Sequence, residues 1–216
     1  MRHIKLCLLF TLVLASTLAA ADVIWAGGTA SGEQNVLFVP NTLGIYLGGT
    51  KYQITGMTSG GINVYLTTDN TGGSGTDQLF AYSAFDLFAN PQGSTDTSID
   101  QLTITLPGHS FGDIGFNLYG MLSGIDSALV SVTTNDGTFT STYSGLGTGD
   151  NPIFITTANG ETIQSVALDS KFFALKDLVI SAPETVPAAV PEPASLLLLG
   201  TGLAGLCGFL RRRKFK

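Results

Sequence analysis

The sequence predicts an all-β chain whose main domain is an antiparallel β-sandwich of jelly-roll type. Charged residues make up only 12% of the 216 residues while 27 are glycine, a composition typical of short strands joined by many turns. Apolar residues recur with a period near two, as in residues 101–106, which is the pattern of a half-buried strand. Between residues 22 and 181 no stretch keeps a 3.6-residue apolar period beyond a turn or two, so parallel βαβ units are not expected.

Runs comparable to residues 101–106 occur along the whole domain at the intervals typical of β-sandwiches. They are residues 36–39, 52–57, 62–67, 78–85, 115–119, 128–133, 138–143, 152–157, 162–168 and 172–180. Two hairpin turns are predicted, at Asn135-Asp136-Gly137 and at Asn159-Gly160, because in both a glycine that can take positive φ follows Asn or Asp.

The first 21 residues have the three-part layout of a secretory signal peptide. Arg2 and Lys5 give a positive leader, residues 6–18 form an apolar run, and three alanines follow. Ala19 and Ala21 supply the small residues that signal peptidase reads, so we expect cleavage after Ala21. The apolar run is short for a membrane span, which argues against a retained anchor. The mature domain is then residues 22–181.

The C-terminal segment predicts a single transmembrane helix. Residues 182–189 are a Pro- and Ala-rich tether, and residues 194–210 contain no charge. As a helix, those 17 residues would span about 25 Å, which is near the lower limit for a bilayer. The tail of residues 211–216 includes four consecutive basic residues, Arg211, Arg212, Arg213 and Lys214, which prefer the cytoplasmic side. The domain is therefore expected on the opposite side.

The motif before this helix is Val190-Pro191-Glu192-Pro193, and its prolines favour an extended chain. Together with the leucine-rich start of the helix, its glycines and the terminal arginines, it resembles a PEP-CTERM sorting signal over residues 190–216. The resemblance implies that an exosortase-type membrane protease recognises the tail and removes the helix. It also implies a precursor anchored in the inner membrane and a product at the cell surface or outside the cell. Residues 159–168 followed by 175–181 resemble the closing hairpin of many β-sandwich domains with such a tail.

The charge of the domain excludes nucleic-acid binding. Between residues 22 and 190 there are three basic residues, Lys51, Lys171 and Lys176, against 15 acidic ones, a net charge of −12. Binding to a duplex requires clustered Lys or Arg that displace counterions from the phosphates.

No catalytic residue, metal ligand or cofactor is predicted. Cys7 and Cys207 lie in the terminal apolar segments, so the domain has no disulfide, thiolate metal site or cysteine nucleophile. Its one histidine, His109, follows Leu106-Pro107-Gly108 and is expected in a turn. Gly108-His109-Ser110-Phe111-Gly112 matches the Gly-x-Ser-x-Gly pattern, but that pattern marks a nucleophile only at a turn from a strand into a helix. No helical period follows it, so no serine is nominated for a triad, and one histidine cannot build a His-rich zinc site.

Acidic and aromatic residues leave other possibilities open. Most acids lie beside Gly, Asn or Thr, where turns place Asp anyway: Asp69, Asp77, Asp96, Asp136 and Asp150. The loop from Asp69 to Asp77 could bind Ca²⁺ but lacks the EF-hand spacing, so a solvated loop is favoured. Six aromatic residues could stack on sugars, although a structural role is favoured for them: Trp25, Tyr46, Tyr65, Tyr82, Tyr119 and Tyr143.

These observations predict a non-enzymatic exported protein of the cell surface or extracellular matrix. The alternative is a carbohydrate-binding module of the envelope or of an exopolysaccharide matrix, and a glycosidase is the weaker third hypothesis. A cleft with two facing carboxylates would favour the enzyme, and a coplanar strip of aromatic residues would favour the module. The expected partners are signal peptidase, the exosortase and the membrane before processing, and the carbohydrate-binding alternative adds a polysaccharide.

Overall fold

A computed structural model describes residues 23–26, 33–49, 51–69, 78–89, 98–120, 125–158 and 160–185. These residues contain 17 β-strands and no α-helix, which confirms the all-β class. The strands are β1 (Val23–Ala26), β2 (Gln34–Phe38), β3 (Thr42–Leu43), β4 (Ile45–Gly48), β5 (Lys51–Thr58), β6 (Asn63–Thr68), β7 (Leu79–Ala81), β8 (Asp86–Ala89), β9 (Ile99–Thr105), β10 (His109–Ser110), β11 (Asp113–Gly120), β12 (Ser127–Thr134), β13 (Gly137–Ser144), β14 (Gly149–Thr157), β15 (Ile163–Phe172), β16 (Ala174–Ile180) and β17 (Glu184–Thr185).

The chain divides into two compact units, Met1–Glu184 and Thr185–Lys216. Strands β1 to β16 all belong to the first unit. The predicted signal peptide, membrane helix and sorting motif lie outside the described residues. Within the described residues, no helix has the length and apolar character needed to cross a membrane.

Fifteen of the strands are joined in one antiparallel sheet, whose main path runs β1-β14-β11-β16-β2-β5-β6-β9-β15-β12-β13. Strand β2 is the junction, because Gln34 and Asn35 pair with β16 while residues 36–38 pair with β5. We call the strands on one side the β11 section (β1, β14, β11, β16, β8, β7, β3) and those on the other the β9 section (β5, β4, β6, β9, β15, β12, β13). The predicted stacking of two separate sheets as a sandwich stays a prediction. Strands β10 and β17 form a separate two-stranded sheet.

The alternation predicted from the sequence gives both sections a buried face. In β9, Leu102 and Ile104 are buried while Thr103 and Thr105 are partly exposed. The buried apolar side chains of both sections belong to a single core. A ladder row of Leu66, Ile104, Val166 and Val132 crosses the β9 section, and all four residues are fully buried.

The two terminal strands of the sheet path contact each other. Trp25 of β1 and Tyr143 of β13 pack edge to face, with ring centroids 6.2 Å apart. Both rings also pack against the core. The sheet therefore curves until its first and last strands are neighbours, although no ladder joins them among the described pairs.

The strand predicted over residues 78–85 is wrong in its second half. Strand β7 ends at Ala81, and Ser83 starts a turn into β8. The Ser83 hydroxyl accepts hydrogen bonds from the backbone N–H groups of Phe85 and Asp86 and donates one to the Asp86 carboxylate, at 2.7–3.1 Å. Such serine turns compete with an extended chain, and β7 and β8 pair as a hairpin instead.

The predicted closing hairpin is also wrong. Strand β15 pairs with β9 and β12, whereas β16 pairs with β11, β2 and β8 in the other section. Only Phe173 separates β15 from β16, and hairpin loops commonly need at least two residues. The chain therefore crosses from one section to the other at Phe173.

The two predicted turns have different outcomes. Asn135 and Asp136 connect β12 to β13, and Gly137 has a φ of 148°, so this hairpin is confirmed. Gly160 has a φ of 80°, but the flanking strands β14 and β15 do not pair with each other in the described sheet. Asn159 itself lies outside the described residues.

Candidate functional site

The outer face of the β11 section carries one ladder row that is rich in aromatic residues. Its directly paired residues run Phe80–Phe88–Ala174–Tyr119–Asp150 across β7, β8, β16, β11 and β14. Their chain neighbours Leu79, Leu87 and Leu118 lie in the core. Because side chains alternate along a strand, the aromatic residues face away from the core.

Four rings are in contact along this ladder row: two of its members, Phe88 and Tyr119, and two residues close to its members in the chain, Tyr82 and Phe173. The centroid distances are 5.5 Å from Tyr82 to Phe88, 5.3 Å from Phe88 to Phe173 and 6.3 Å from Phe173 to Tyr119. We call these four residues the aromatic row. Neighbouring planes are tilted by 55° to 82°, so the strip is not coplanar. Tyr82 is 64% exposed, which leaves one end of the row open to solvent.

Phe173, at which the chain crosses from the β9 section to the β11 section, lies in the middle of the aromatic row. Its ring touches both Phe88 and Tyr119, which lie on either side of Ala174 in the ladder. Ala174 is fully buried, as expected for a small residue beneath a large ring. The Phe173 N–H donates to the Tyr119 carbonyl at 2.9 Å, and its carbonyl accepts from the Ala89 N–H at 3.0 Å. These backbone bonds hold the ring in position.

Polar side chains cluster at the other end of the row. The Lys176 ammonium lies 3.9 Å from the centroid of the Tyr119 ring and 3.1 Å from the Asp150 carboxylate. The Asn117 amide donates to the Asp177 carboxylate at 3.0 Å. We call Asn117, Asp150, Lys176 and Asp177 the polar cluster. It offers both donors and acceptors beside an aromatic ring.

A β-bulge in β16 places Asn117 and Asp177 of the polar cluster side by side. The register between β11 and β16 shifts between Gly115 and Asn117, and Asp177 has a φ of 51°, which is uncommon for a residue other than glycine. The Asp177 N–H donates to the Phe85 carbonyl instead of to β11. Bulges redirect side chains and occur often beside functional sites, and strained backbone is retained where the surroundings fix it.

The six aromatic residues singled out in the sequence separate into different environments. Tyr82 and Tyr119 lie in the aromatic row. Trp25 and Tyr143 pack against the core, and burial raises the pKa of the Tyr143 hydroxyl. Tyr46 and Tyr52 are ladder partners with ring centroids 5.3 Å apart, and Tyr65 is half-buried opposite Thr55 and Thr105.

His109 lies at the start of the short strand β10, directly after the turn at Pro107 and Gly108. Its backbone N–H donates to the Leu106 carbonyl at 2.9 Å. Its Nδ1 atom is buried and has no hydrogen-bond partner among the described residues. A serine triad requires an acid on that nitrogen to orient the ring, so the described contacts do not assemble one.

The described acids include one interacting pair, Glu33 and Asp113. The Ser181 hydroxyl beside Asp113 accepts hydrogen bonds from the Gly112 and Asp113 N–H groups at 2.7 and 3.0 Å. Burial, followed by the negative charge of Asp113, raises the pKa of the Glu33 carboxyl. One Glu33 oxygen is buried without a hydrogen-bond partner.

This carboxyl predicts a pH-dependent gain of stability in Glu33→Gln. A raised pKa means that the folded chain holds the proton more tightly than the unfolded chain does. Ionisation of Glu33 above the ordinary pKa of 4.5 therefore destabilises the folded chain, and this destabilisation is absent at lower pH, where the carboxyl is protonated. We expect the variant to have a higher free energy of unfolding than the wild type at about pH 7 and a similar one at about pH 4. Urea unfolding at both pH values, with Glu184→Gln at an exposed carboxyl as control, measures this. An equal gain at both pH values would contradict the assignment.

The loop proposed for Ca²⁺ lies mostly outside the described residues, which end at Asp69 and resume at Gln78. The Asp69 carboxylate forms an ion pair with Lys51 at 3.2 Å. In the part of the chain that the structure covers, no group of three or more His, Cys, Asp or Glu residues is placed to hold a metal ion.

The sequence reasoning missed five residues of the site: Phe88, Asn117, Phe173, Lys176 and Asp177. Lys176 had a usable signal, because Leu175 and Leu178 are both apolar and three residues apart, a spacing that breaks the alternation of a strand and marks a bulge. No sequence pattern marked Phe173, because its contacts with Phe88 and Tyr119 arise only where the chain crosses between the two sections of the sheet.

Comparison with known proteins identifies only the C-terminal segment. Residues 189–214 match the family model described as the PEP-CTERM protein-sorting motif, which confirms the resemblance seen in residues 190–216. No curated protein and no solved structure matches the chain. The roles of the individual residues Val190 to Pro193, Arg211 to Lys214, Ala19 and Ala21 stay predictions.

Proposed function

We propose that this chain, which carries a PEP-CTERM sorting motif at residues 189–214, is an exported, non-enzymatic protein of the cell surface or extracellular matrix. In this proposal signal peptidase cleaves after Ala21 and an exosortase removes the membrane helix of residues 194–210. The motif match is the observation that carries the proposal. The predicted β-sandwich of residues 22–181 is the part that remains after processing.

The contacts of the described polar groups support a role without catalysis. Lys176 is paired with Asp150, and Asn117 with Asp177, so the polar cluster is largely satisfied by its own members. Catalytic acids and bases usually combine a perturbed pKa with a cleft and a specific partner. Glu33 has the first of these features, but the Ser181 hydroxyl beside Asp113 is engaged with two backbone N–H groups.

Carbohydrate binding is the second candidate. The aromatic row is not the coplanar strip expected for such a module, so this candidate rests on the contact between the rings and the adjoining polar cluster. Aromatic rings next to carboxylate, amide and ammonium groups can bind both the apolar faces and the hydroxyl groups of sugars. This function is compatible with sorting to a polysaccharide matrix, where the domain would act as an attachment module.

Replacing Pro191, Glu192 and Pro193 together by alanine tests the sorting step. The extended recognition segment would be lost and the helix could continue into it, so we expect the precursor to stay in the membrane fraction and the released form to disappear. Immunoblots of membrane and medium fractions measure both forms. The matched control is Pro183→Ala combined with Glu184→Ala, which removes a Pro-Glu pair at strand β17, outside the motif, and should leave release unchanged. Normal release of the triple variant would refute the proposed sorting.

A further inference from the structure

We propose that the aromatic row and the polar cluster form one extended site for a soluble, neutral polysaccharide chain. This inference rests on the proposed function at a polysaccharide matrix and specifies the ligand and the surface that binds it. The rings of Tyr82, Phe88, Phe173 and Tyr119 are in continuous contact, and Lys176 and Asp150 follow directly after Tyr119.

The shape of the site suits a linear polymer. The ladder row from β7 to β14 crosses five neighbouring strands. With neighbouring strands about 4.8 Å apart, it is roughly 19 Å long, enough for several sugar units in a row. Sugar rings have apolar C–H faces that pack on aromatic rings, and their hydroxyl edges can bond to carboxylate and amide groups such as those of Asp150 and Asn117.

The charges around the site favour a neutral polymer. Lys176 is matched by Asp150 and followed in the chain by Asp177, and residues 22–190 together carry −12. An acidic polysaccharide, a nucleic acid or an anionic lipid surface would be repelled by this field.

The tilt of the rings favours a soluble chain over a flat crystalline surface. Neighbouring planes differ by 55° to 82°, so the rings cannot all lie against one plane. A single chain that twists along its length can meet rings of different orientation in turn. Tyr82, at the open end, is the ring that such a chain can reach with most of its surface.

Affinity electrophoresis of the full chain in nonionic detergent tests this site. The gels contain soluble neutral glycans (glucan, mannan, galactan or xylan) or the acidic polymer alginate, and a separate pelleting assay uses microcrystalline cellulose. We expect retardation by at least one soluble neutral glycan, none by alginate and no pelleting with cellulose. Tyr82→Ala and Asp150→Ala should each weaken the retardation about tenfold.

Tyr46→Ala is the matched control, because Tyr46 is similarly exposed, at 57%, but lies on β4, which pairs with β5 in the β9 section. It should bind like the wild type, and the fluorescence of the single tryptophan, Trp25, should show that all variants are folded. The inference is overturned if no soluble neutral glycan retards the chain, if alginate or cellulose binds instead, or if Tyr82→Ala and Tyr46→Ala behave alike. Release of Tyr82→Ala into the medium should be normal, so a failure of glycan binding is distinguishable from a failure of sorting.

Discussion

Ile104→Asp is expected to unfold the domain under conditions in which the wild-type chain is folded. Ile104 is fully buried in the central strand β9, between Leu66 of β6 and Val166 of β15. The substitution removes about 1.5–3 kcal/mol of apolar burial and places a carboxylate where no partner is available. We expect a loss of at least about 4 kcal/mol, a large part of the total stability of a typical domain. Urea unfolding followed by Trp25 fluorescence measures it.

Thr103→Asp is the matched control, one residue away on the same strand. Thr103 is partly exposed on the opposite face, between Thr67 and Ala167, so its carboxylate stays hydrated and the cost should be within about 1 kcal/mol. If both variants are equally stable, the assigned core face of β9 is wrong. If both unfold, the outer face of this strand is buried as well.

The strands were predictable because the alternation of apolar and polar residues is local. Residues 101–106 show it over the whole run, and the structure places β9 there with Leu102 and Ile104 inward. The turn at Asn135-Asp136-Gly137 was predictable for the same reason, since positive φ at Gly137 is a local requirement.

The pairing of strands in space was not predictable in this way. Strands β15 and β16 have similar apolar patterns, yet they lie in different sections because one residue, Phe173, cannot form a hairpin loop. The pattern also could not show that β2 pairs with β16 at its start and with β5 at its end.

The candidate site was even less accessible from the sequence. Tyr119 and Tyr82 were recognised as aromatic candidates, but their connection through Phe88 and Phe173 depends on the ladders of β8, β16 and β11. The C-terminal motif is the opposite case, because its recognition depends on the order of residues along the chain and needs no tertiary structure.

The second large effect is expected for Gly56→Ala in β5, where a methyl group has no space. A Cβ at Gly56 would lie 2.5 Å from Cγ1 of Val36 and 2.9 Å from Cε1 of Phe38. Both neighbours are buried in the core, and Phe38 is the direct ladder partner of Gly56. Overpacking of this kind costs about 1–3 kcal/mol, because a branched side chain and an aromatic ring must both move. Gly147→Ala is the matched control, since a Cβ there meets nothing within 4 Å, and it should change stability by less than about 0.5 kcal/mol.

A double-mutant cycle with Val36→Ala identifies the clash itself. Val36→Ala alone removes buried methyl groups and leaves a cavity, which destabilises the domain. In the double variant the new methyl at residue 56 occupies part of that space, because Val36 Cγ1 is the closest atom to it. We therefore expect the double variant to lose less stability than the two single variants combined, with a coupling energy of about 0.5–3 kcal/mol. Urea unfolding of the four chains gives this coupling directly. Strict additivity, or a harmless Gly56→Ala, would mean that β2 and β5 do not pack as closely at this point as their register requires.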